Sequence, residues 1–535
     1  MAELTKSHET SASPASASPA SAGPVSAAAT PATRAPATTE TQHWLGPLLV
    51  LVVGMFMCVL DTSIVNVAVP TIQTEFGGST AKVAWISTAY SLVLGVIVPT
   101  TAWLGDRVGL GRLYTYSLIG FAAGSALCGV AWSLNSLIAF RVIQAVPGGI
   151  LPVITMTMIY RLVPRNRIGS AMGIYGIGVI AAPALGPTLG GYLVEYVNWR
   201  LIFYINVPVA VLGVLLALWM LPKFHQQPTY KFDVFGFVTI ATGLVAILLA
   251  FSEGAGWGWT SPKTLGLIIG GVLCLALFVV IELEVEHPLL DLAVFRTWPY
   301  VNSLLIVTII SIGMFSTLFY IPVYLQSVLG LPPLHAGLVV LPQALLMALI
   351  APISGRLYDK LGPRWLVFTG LLIVAFANHL MTGLTLTTTK EQIIGWTCVN
   401  AFGLGLAMMS VQTSGLAALD HRLTNSGAAF NNVVQRVAAG LGLAALSAMV
   451  ASQQVQLTAD RYGLLSASDP QLAHLGILGQ YQFLKLTALQ VTTTSITNLF
   501  QVTSMITLVG AGIALLMRSG PAHHHDGDHP PVMAE

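Results

Sequence analysis

The run Leu104-Gly105-Asp106-Arg107-Val108-Gly109-Leu110-Gly111-Arg112 has a counterpart at Gly355-Arg356-Leu357-Tyr358-Asp359-Lys360-Leu361-Gly362-Pro363-Arg364. Both share one grammar: Leu, any residue, Asp, a base, any residue, Gly, then a further base. An acid beside bases at a tight glycine turn can form an ion-paired latch between helix ends, broken and remade as neighbouring bodies move. For either copy alone, a plain basic loop at a membrane face explains the residues equally well. The pair says more. The two aspartates lie 253 residues apart, which over eight membrane spans is about 32 residues per helix and loop, whereas six spans would need about 42, too long for the short breaks seen. Both loops must also face one side, so the number of intervening spans is even. A duplicated half with a two-helix insert satisfies these conditions, and internal repeats of this kind mark transporters.

Outward from the loops the sequence is apolar. Of 535 residues 55% are hydrophobic and 8% charged, with mean hydropathy +0.77. A soluble domain carries about 25% charged residues to face water, so this chain is built for another solvent. A net charge of +2 leaves no footprint for nucleic acid. Cys58, Cys128, Cys274 and Cys398 all lie inside apolar runs and form neither a disulfide framework nor a close-spaced metal pair. Apolar stretches of about 20 residues, each enough for a hydrocarbon core of about 30 Å, fall near 45–69, 82–104, 113–132, 136–160, 169–194, 201–221, 234–253, 264–282, 300–326, 334–357, 365–387, 392–416, 426–450 and 496–517. They must be helical, because the bilayer core offers backbone groups no water. The predicted fold is an all-α polytopic membrane protein of about 14 transmembrane helices, with six-helix bundles at 44–222 and 299–518 and two inserted helices with their linker at 223–298.

Residues 1–43 are almost entirely Ala, Ser, Pro and Thr, a composition that cannot offset the entropy of ordering and is expected to be a disordered tail rather than a signal peptide. At the other end, 519–535 is rich in Pro, His and Asp; a solvated terminus and a metal-binding tail through His523, His524, His525 and His529 are both open. The stretch 452–495 is the longest outer loop, with a partly helical, amphipathic pattern through Leu478, Tyr481, Leu484 and Leu489. With the N-terminus inside, fifteen of the 23 Lys and Arg fall on the face of the two latch loops, six fall opposite, and Arg141 and Arg436 lie within spans. The positive-inside rule then puts both termini in the cytoplasm of a multi-pass plasma (inner) membrane protein.

The loop pair resembles the signature of the major facilitator superfamily. Leu60-Asp61-Thr62-Ser63-Ile64-Val65-Asn66-Val67-Ala68-Val69-Pro70 is similar to the first-helix motif of its fourteen-span drug:proton antiporter branch, the EmrB/QacA-like exporters. Arg141-Val142-Ile143-Gln144 matches that family's intramembrane Arg motif, although Ala145 and Pro147 depart from a pattern with Gly after Gln. Gly173 through Gly186-Pro187-Thr188-Leu189-Gly190-Gly191 resembles the antiporter motif, with Ala182 where the pattern has Gly, and Trp199-Arg200 through Asn206-Val207-Pro208 opens the sixth span as in that branch. The likeness covers about residues 45 to 517.

These residues carry distinct expectations. Burial in low dielectric opposes the charge of a carboxylate, and one that alternates between charged and neutral within reach of water is a proton carrier; the resemblance gives Asp61 that role. A hydrogen bond to Thr62 or to backbone is the plainer reading. Arg141 seldom loses a proton, so its role is electrostatic, favouring proton release from a nearby acid. Gln144, three residues on, shares its helix face. Asp106, Arg107, Gly109 and Arg112 with Asp359, Lys360, Gly362 and Arg364 form the latch. Gly173, Gly186, Gly190 and Gly191, with Pro183 and Pro187, present a side-chain-free face for close helix approach, a motif that in the family marks exporters. The substrate cavity should lie between the halves near the midplane, with Asn66, Gln144, Tyr320, Tyr324, Gln343, Asn400, Gln412, Asn431 and Arg436 as candidates; a helix-to-helix hydrogen bond is an equal reading for each. Arg436 matches no family motif, and an anionic or polar substrate contact is one reading of it.

The function these features imply is proton-coupled antiport that exports small amphipathic or apolar compounds, a multidrug efflux protein whose partners are its substrate, protons and the bilayer. No phosphate loop is present, so the proton gradient is expected to drive it without a cofactor. A lipid or metabolite exporter, or a proton-linked importer, fits the same scaffold. A receptor or enzyme does not: no compact His, Cys or carboxylate cluster supports catalysis, and no metal site is expected. An adaptor protein on the outer face is left open.

Overall fold

A computed structural model describes residues 44–77, 80–164, 167–222, 231–286, 288–463 and 476–517. The described residues form helices and connecting turns, with no strand among them. The helices are α1 (Leu45–Phe76), α2 (80–108, passing through a 3-10 turn at Val98–Thr100), α3 (Leu110–Gly129), α4 (Leu134–Leu162), α5 (Ile168–Tyr196), α6 (Leu201–Met220), α7 (Val234–Trp257), α8 (Pro262–Glu284), α9 (Trp298–Ser327), α10 (Pro333–Leu361), α11 (Pro363–Met381), α12 (Lys390–Ala417), α13 (Thr424–Gly463) and α14 (Gly476–Ala514).

Local chemistry sets the helix starts. Ser133 and Thr389 each close a capping box, with Ser136 and Gln392, at the starts of α4 and α12, while Asp233 and Ser261 cap α7 and α8. Pro147 and Pro152 sit inside α4 and leave it continuous, so the doubt that Pro147 raises about helix geometry resolves as an unbroken helix. Thirteen helices among the described residues are long and apolar enough to cross a membrane. The fourteenth expected span is α3, 20 residues whose Gly111, Arg112, Thr115, Ser117, Gly124 and Ser125 dilute its apolarity. Burial explains that composition: Ser117 and Ser125 are turned into protein and α3 packs between α4 and α6.

Helices α1–α6 pack on one another, as do α9–α14, and the two groups meet along a seam where α5 lies against α10 and α13 lies against α4 and the 3-10 turn of α2. The inserted α7 packs on α8, α2 and α13, whereas α8 leaves Ile269, Leu273, Leu277 and Leu283 exposed. The expected tails 1–43 and 519–535, the linker stretch 223–230, and 464–475 of the expected outer loop lie outside the described residues. The flanks of that loop are helix rather than irregular chain: α13 runs on to Gly463 and α14 begins at Gly476.

The glycines of α5 divide by face. A Cβ at Gly173 would meet Pro352 Cα at 2.6 Å and Ala351 O at 2.7 Å on α10, across the seam. One at Gly186 would collide with Ser63 on α1, and one at Gly190 would lie 2.8 Å from Ile64 Cγ1, both within the same bundle. Gly191 faces open space, so its membership of the motif carries no packing duty here. The antiporter-motif stretch thus lets one helix approach its own bundle on one side and the opposite bundle on the other. Gly186→Val is expected to cost about 1–3 kcal/mol through overpacking against the Ser63 side chain of α1, and Gly191→Ala to stay within about 0.5 kcal/mol of the parent. Thermal melts of the purified protein in detergent check both, and equal melting of the two variants would contradict the packing.

Candidate functional site

Asp61 lies about midway along α1 and is wholly buried. Arg141 Nη1 donates to its Oδ2 at 2.5 Å, and Gln144 Nε2 and Asn206 Nδ2 donate to its Oδ1 at 3.0 and 2.9 Å. Arg141 and Gln144 share a face of α4, as their spacing requires, and Arg141 also donates to Gln144 Oε1 at 2.8 Å. Asn206, from α6, donates to Ser125 Oγ at 3.0 Å, and Ser125 donates to Phe203 O at 2.8 Å. The far face of the guanidinium lies over the Tyr90 ring of α2, 3.7 Å from its centroid. One carboxylate therefore gathers α1, α2, α3, α4 and α6. Thr62 is not its partner, since that hydroxyl donates to Val59 O. The reach to water expected for Asp61 is absent in this conformation, because Arg141, Gln144 and Asn206 occupy the space around both oxygens. Gln144, read from sequence as a cavity candidate, belongs to this network instead. Sequence reasoning passed over Asn206 and Ser125; Asn206 stands inside the quoted Trp199–Pro208 motif, but nothing in that run says which way it points.

Among the described residues, no ion pair joins either latch aspartate to a base of its own loop. Asp359 accepts from the backbone amides of Gly169 and Ser170 at 3.0 and 3.1 Å and from Ser170 Oγ at 2.7 Å, capping the start of α5 from across the seam. Asp106 Oδ1 accepts from Asn425 Nδ2 at 3.3 Å, at the start of α13 in the opposite bundle. Each acid thus lies at the start of a helix from the other half, and Asp106 is also within electrostatic range of Arg161 on α4, a base outside its own loop. Gly109 and Gly362 do make the turns, at φ 88° and 76°, a left-handed region where a side chain is strained. Arg107, Arg112 and Lys360 are exposed; Arg107 covers the Trp103 ring and the Arg364 guanidinium lies 5.6 Å from the Trp365 ring centroid. Tyr160 of α4 adds a hydrogen bond to Thr413 O of α12 at 3.2 Å, so the seam is closed at the loop-bearing face. Near the opposite face, Arg200 pairs with Glu75 at 2.8 Å and Trp199 Nε1 donates to the same carboxylate, tying the start of α6 to the end of α1.

A cavity of about 370 Å³ lies between α5 and α9, α10 and α12, lined by Val179, Pro183, Met314, Pro322, Gln343, Asn400 and Met408 among others. It is beyond the latches: Gln343 stands about 18 Å along α10 from Gly355. Of the expected cavity residues, Gln343 and Asn400 line it, and Asn400 donates to Asn378 Oδ1 at 3.0 Å. The others sit elsewhere. Tyr320 and Tyr324 are buried in an apolar cluster of the second bundle, donating to Ser447 Oγ and Thr385 O. Gln412 is buried near the Tyr160 contact, and Asn431 is buried with its Oδ1 unpartnered. Asn66 is exposed and accepts from Ser87. Arg436 is partly exposed on α13.

Two helical bundles meeting at a seam, with a cavity between them and a buried ion pair in one, make this chain a multi-pass membrane transporter rather than an enzyme. Residues 51–443 match the family model of the Major Facilitator Superfamily, and the chain belongs to that family. It is 34% identical over 427 residues to the uncharacterized MFS-type transporter YhcA of Bacillus subtilis, covering 80% of each chain. It is 31% identical over 442 residues to the lincomycin resistance protein LmrB of the same organism, covering 82% of this chain and 91% of that one. The solved structure of the proton:xylose symporter XylE superposes with a TM-score of 0.57 at 12% identity, over 89% of this chain and 96% of that one, a likeness of fold.

Removing the Asp359 carboxyl by Asp359→Ala leaves the first amides of α5 without their acceptor and is expected to weaken closure of the loop-bearing face by about 1–3 kcal/mol. In a background without native cysteines, Met409→Cys, at a buried α12 position whose side chain lies against Gly176 of α5 in the seam, should then react faster with a maleimide, about 5- to 150-fold at that energy. Unchanged reactivity would remove Asp359 from the latch.

Proposed function

We propose that the chain is a proton-coupled antiporter that exports small amphipathic or apolar compounds, a multidrug efflux protein, with the loop-bearing face and both termini in the cytoplasm of the plasma membrane. The observation that carries the reading is the Asp61 carboxylate, wholly buried and held by Arg141, Gln144 and Asn206. A buried ion pair persists only while both charges are present, and losing one leaves the other uncompensated. A proton arriving at Asp61 cancels the charge that holds Arg141, frees the guanidinium toward Gln144 and Tyr90, and loosens the joint among α1, α4 and α6. The reverse motion expels the proton, since Arg141 favours the carboxylate.

In this cycle Asp61 is reached by water only when the bundles rock away from the closed arrangement, which is why burial in one conformation belongs to the mechanism. The lining between α5 and the second bundle is largely apolar, with Gln343 and Asn400 as its polar points, which suits amphipathic and apolar cargo. Export rather than import is supported by the α5 motif and by the drug-resistance name of the Bacillus relative. The proton gradient supplies the energy, and no bound cofactor enters the cycle.

Asp61→Asn is expected to abolish proton-driven efflux in proteoliposomes and, by stranding the Arg141 charge, to lower stability by about 3–5 kcal/mol. Adding Arg141→Gln to that variant should restore much of the stability without restoring efflux. Undiminished transport by Asp61→Asn under an imposed proton gradient would take Asp61 out of the mechanism, and gradient-driven uptake into cells by the parent would reverse the assigned direction. A susceptibility panel in cells lacking or overproducing the protein identifies the compounds.

A further inference from the structure

Arg436 is the intramembrane cation that the proton cycle does not use. It lies eleven residues beyond Asn425 on α13, about 16 Å deeper than the latch, and so at mid-bilayer depth. Among the described residues no carboxylate lies within ion-pair distance of it and no hydrogen bond engages it. A charge at this depth is expensive unless it is matched or functional. The residue is partly exposed, and its guanidinium lies within electrostatic range of Tyr90 on α2 and Cys58 on α1, in the bundle that α13 packs against across the seam. Tyr90 supplies a second, independent observation: the residue is 1% exposed, yet its hydroxyl has no hydrogen-bond partner.

Asp61 is also in range of Tyr90 and Cys58. Both of its oxygens, however, are already engaged by Arg141, Gln144 and Asn206. The centre of the seam therefore holds two guanidinium groups and one carboxylate, leaving one positive charge unmatched. Beside that charge stands a hydroxyl free to donate. A guanidinium and an unpartnered hydroxyl carried by opposite bundles within electrostatic range of each other can receive an oxyanion between them, because charge-assisted hydrogen bonds to carboxylate or sulfonate are strongest where water is scarce. We propose that Arg436 and Tyr90 bind the acidic group of amphipathic substrates, so that the transported compounds include amphipathic organic acids whose apolar body lies along the seam. This assignment rests on the exporter reading for direction only. Outward movement of an anion from an inside-negative cell runs down the electrical gradient, so anionic cargo adds no opposing load.

The test uses two fluorescent probes with the same aromatic body: anilinonaphthalenesulfonate, which carries a permanent negative charge, and neutral N-phenylnaphthylamine. The full-length protein is placed in phosphatidylcholine nanodiscs, where Arg436→Gln should weaken sulfonate binding by about tenfold or more and Tyr90→Phe by about threefold, while Arg436→Lys keeps most of it. Binding of the neutral probe should change by less than about twofold in all three variants, which also reports that each is folded. Sulfonate affinity that is the same in parent and Arg436→Gln overturns the proposal, as does equal loss of both probes. Adding phosphatidylglycerol separates two sources of the anion: unchanged sulfonate affinity assigns the site to soluble amphipaths, whereas displacement by the lipid in the parent alone assigns it to a headgroup and overturns the substrate claim. Gradient-driven efflux of the neutral probe is measured in parallel. If it persists while sulfonate binding ignores Arg436, the anion site falls and the exporter stands; if it is absent while sulfonate binding still depends on Arg436, the exporter reading falls alone.

Discussion

The pairing of Asp61 with Arg141 is the constraint on which the first bundle depends. Each charge alone would be intolerable in a low-dielectric interior, and the two together still leave lone pairs and N–H groups to satisfy. Gln144, Asn206 with Ser125 of α3 behind it, and the Tyr90 ring complete that shell, so five helices are oriented toward one carboxyl group. In water such a network would add little; inside apolar protein its members gain from the same low dielectric that punishes any unpaired one. A change of one proton at its centre is accordingly a change in how the bundle holds together.

Closure between bundles uses different chemistry. Asp359 and Asp106 reach across to the starts of α5 and α13, while Gly169 and Gly173 bring α5 backbone against Gly355 and Ala351 of α10. Parting these contacts strands no buried charge, since they are hydrogen bonds at a half-buried rim and close packing of α5 on α10. Parting Asp61 from Arg141 would strand two, and that contrast lets the bundles rock while each remains intact.

The repeated loop, its even span count and the apolar runs made the fold legible, because periodic burial and helix length are properties of every residue in a stretch. Arg141 and Asp61 were legible for a related reason, since charge at membrane depth is rare enough to demand a use. The partners were not. Asp359 binds backbone amides, which every residue type offers, so no side-chain pattern announces Gly169 and Ser170 as its acceptors' donors. Asn206 and Ser125 are ordinary polar residues until folding aims them at Asp61. Tyr320 and Tyr324 show the opposite error: amphipathic side chains in the second bundle read as cavity lining, yet both find partners inside their own apolar cluster. α3 counted as a span although its glycines and hydroxyls make it the least apolar, because those groups face protein.

The inserted helices bear on the same seam. On α7, Leu248 stands 2.9 Å from where a Cβ of Gly95 on α2 would lie, and Leu248 and Phe251 stand 4.0 and 3.9 Å from where one of Gly440 on α13 would lie. Thr88 and Ser252 also share a hydrogen bond at 3.3 Å. One helix thus touches both bundles along the α2–α13 line, where two bundles without it would meet lipid directly. Arg436 is one turn from Gly440, on the stretch of α13 that α7 lines. The insert therefore has a physical consequence apart from any sequence signature: it obliges any motion that parts α2 from α13 to carry or slide α7 with it.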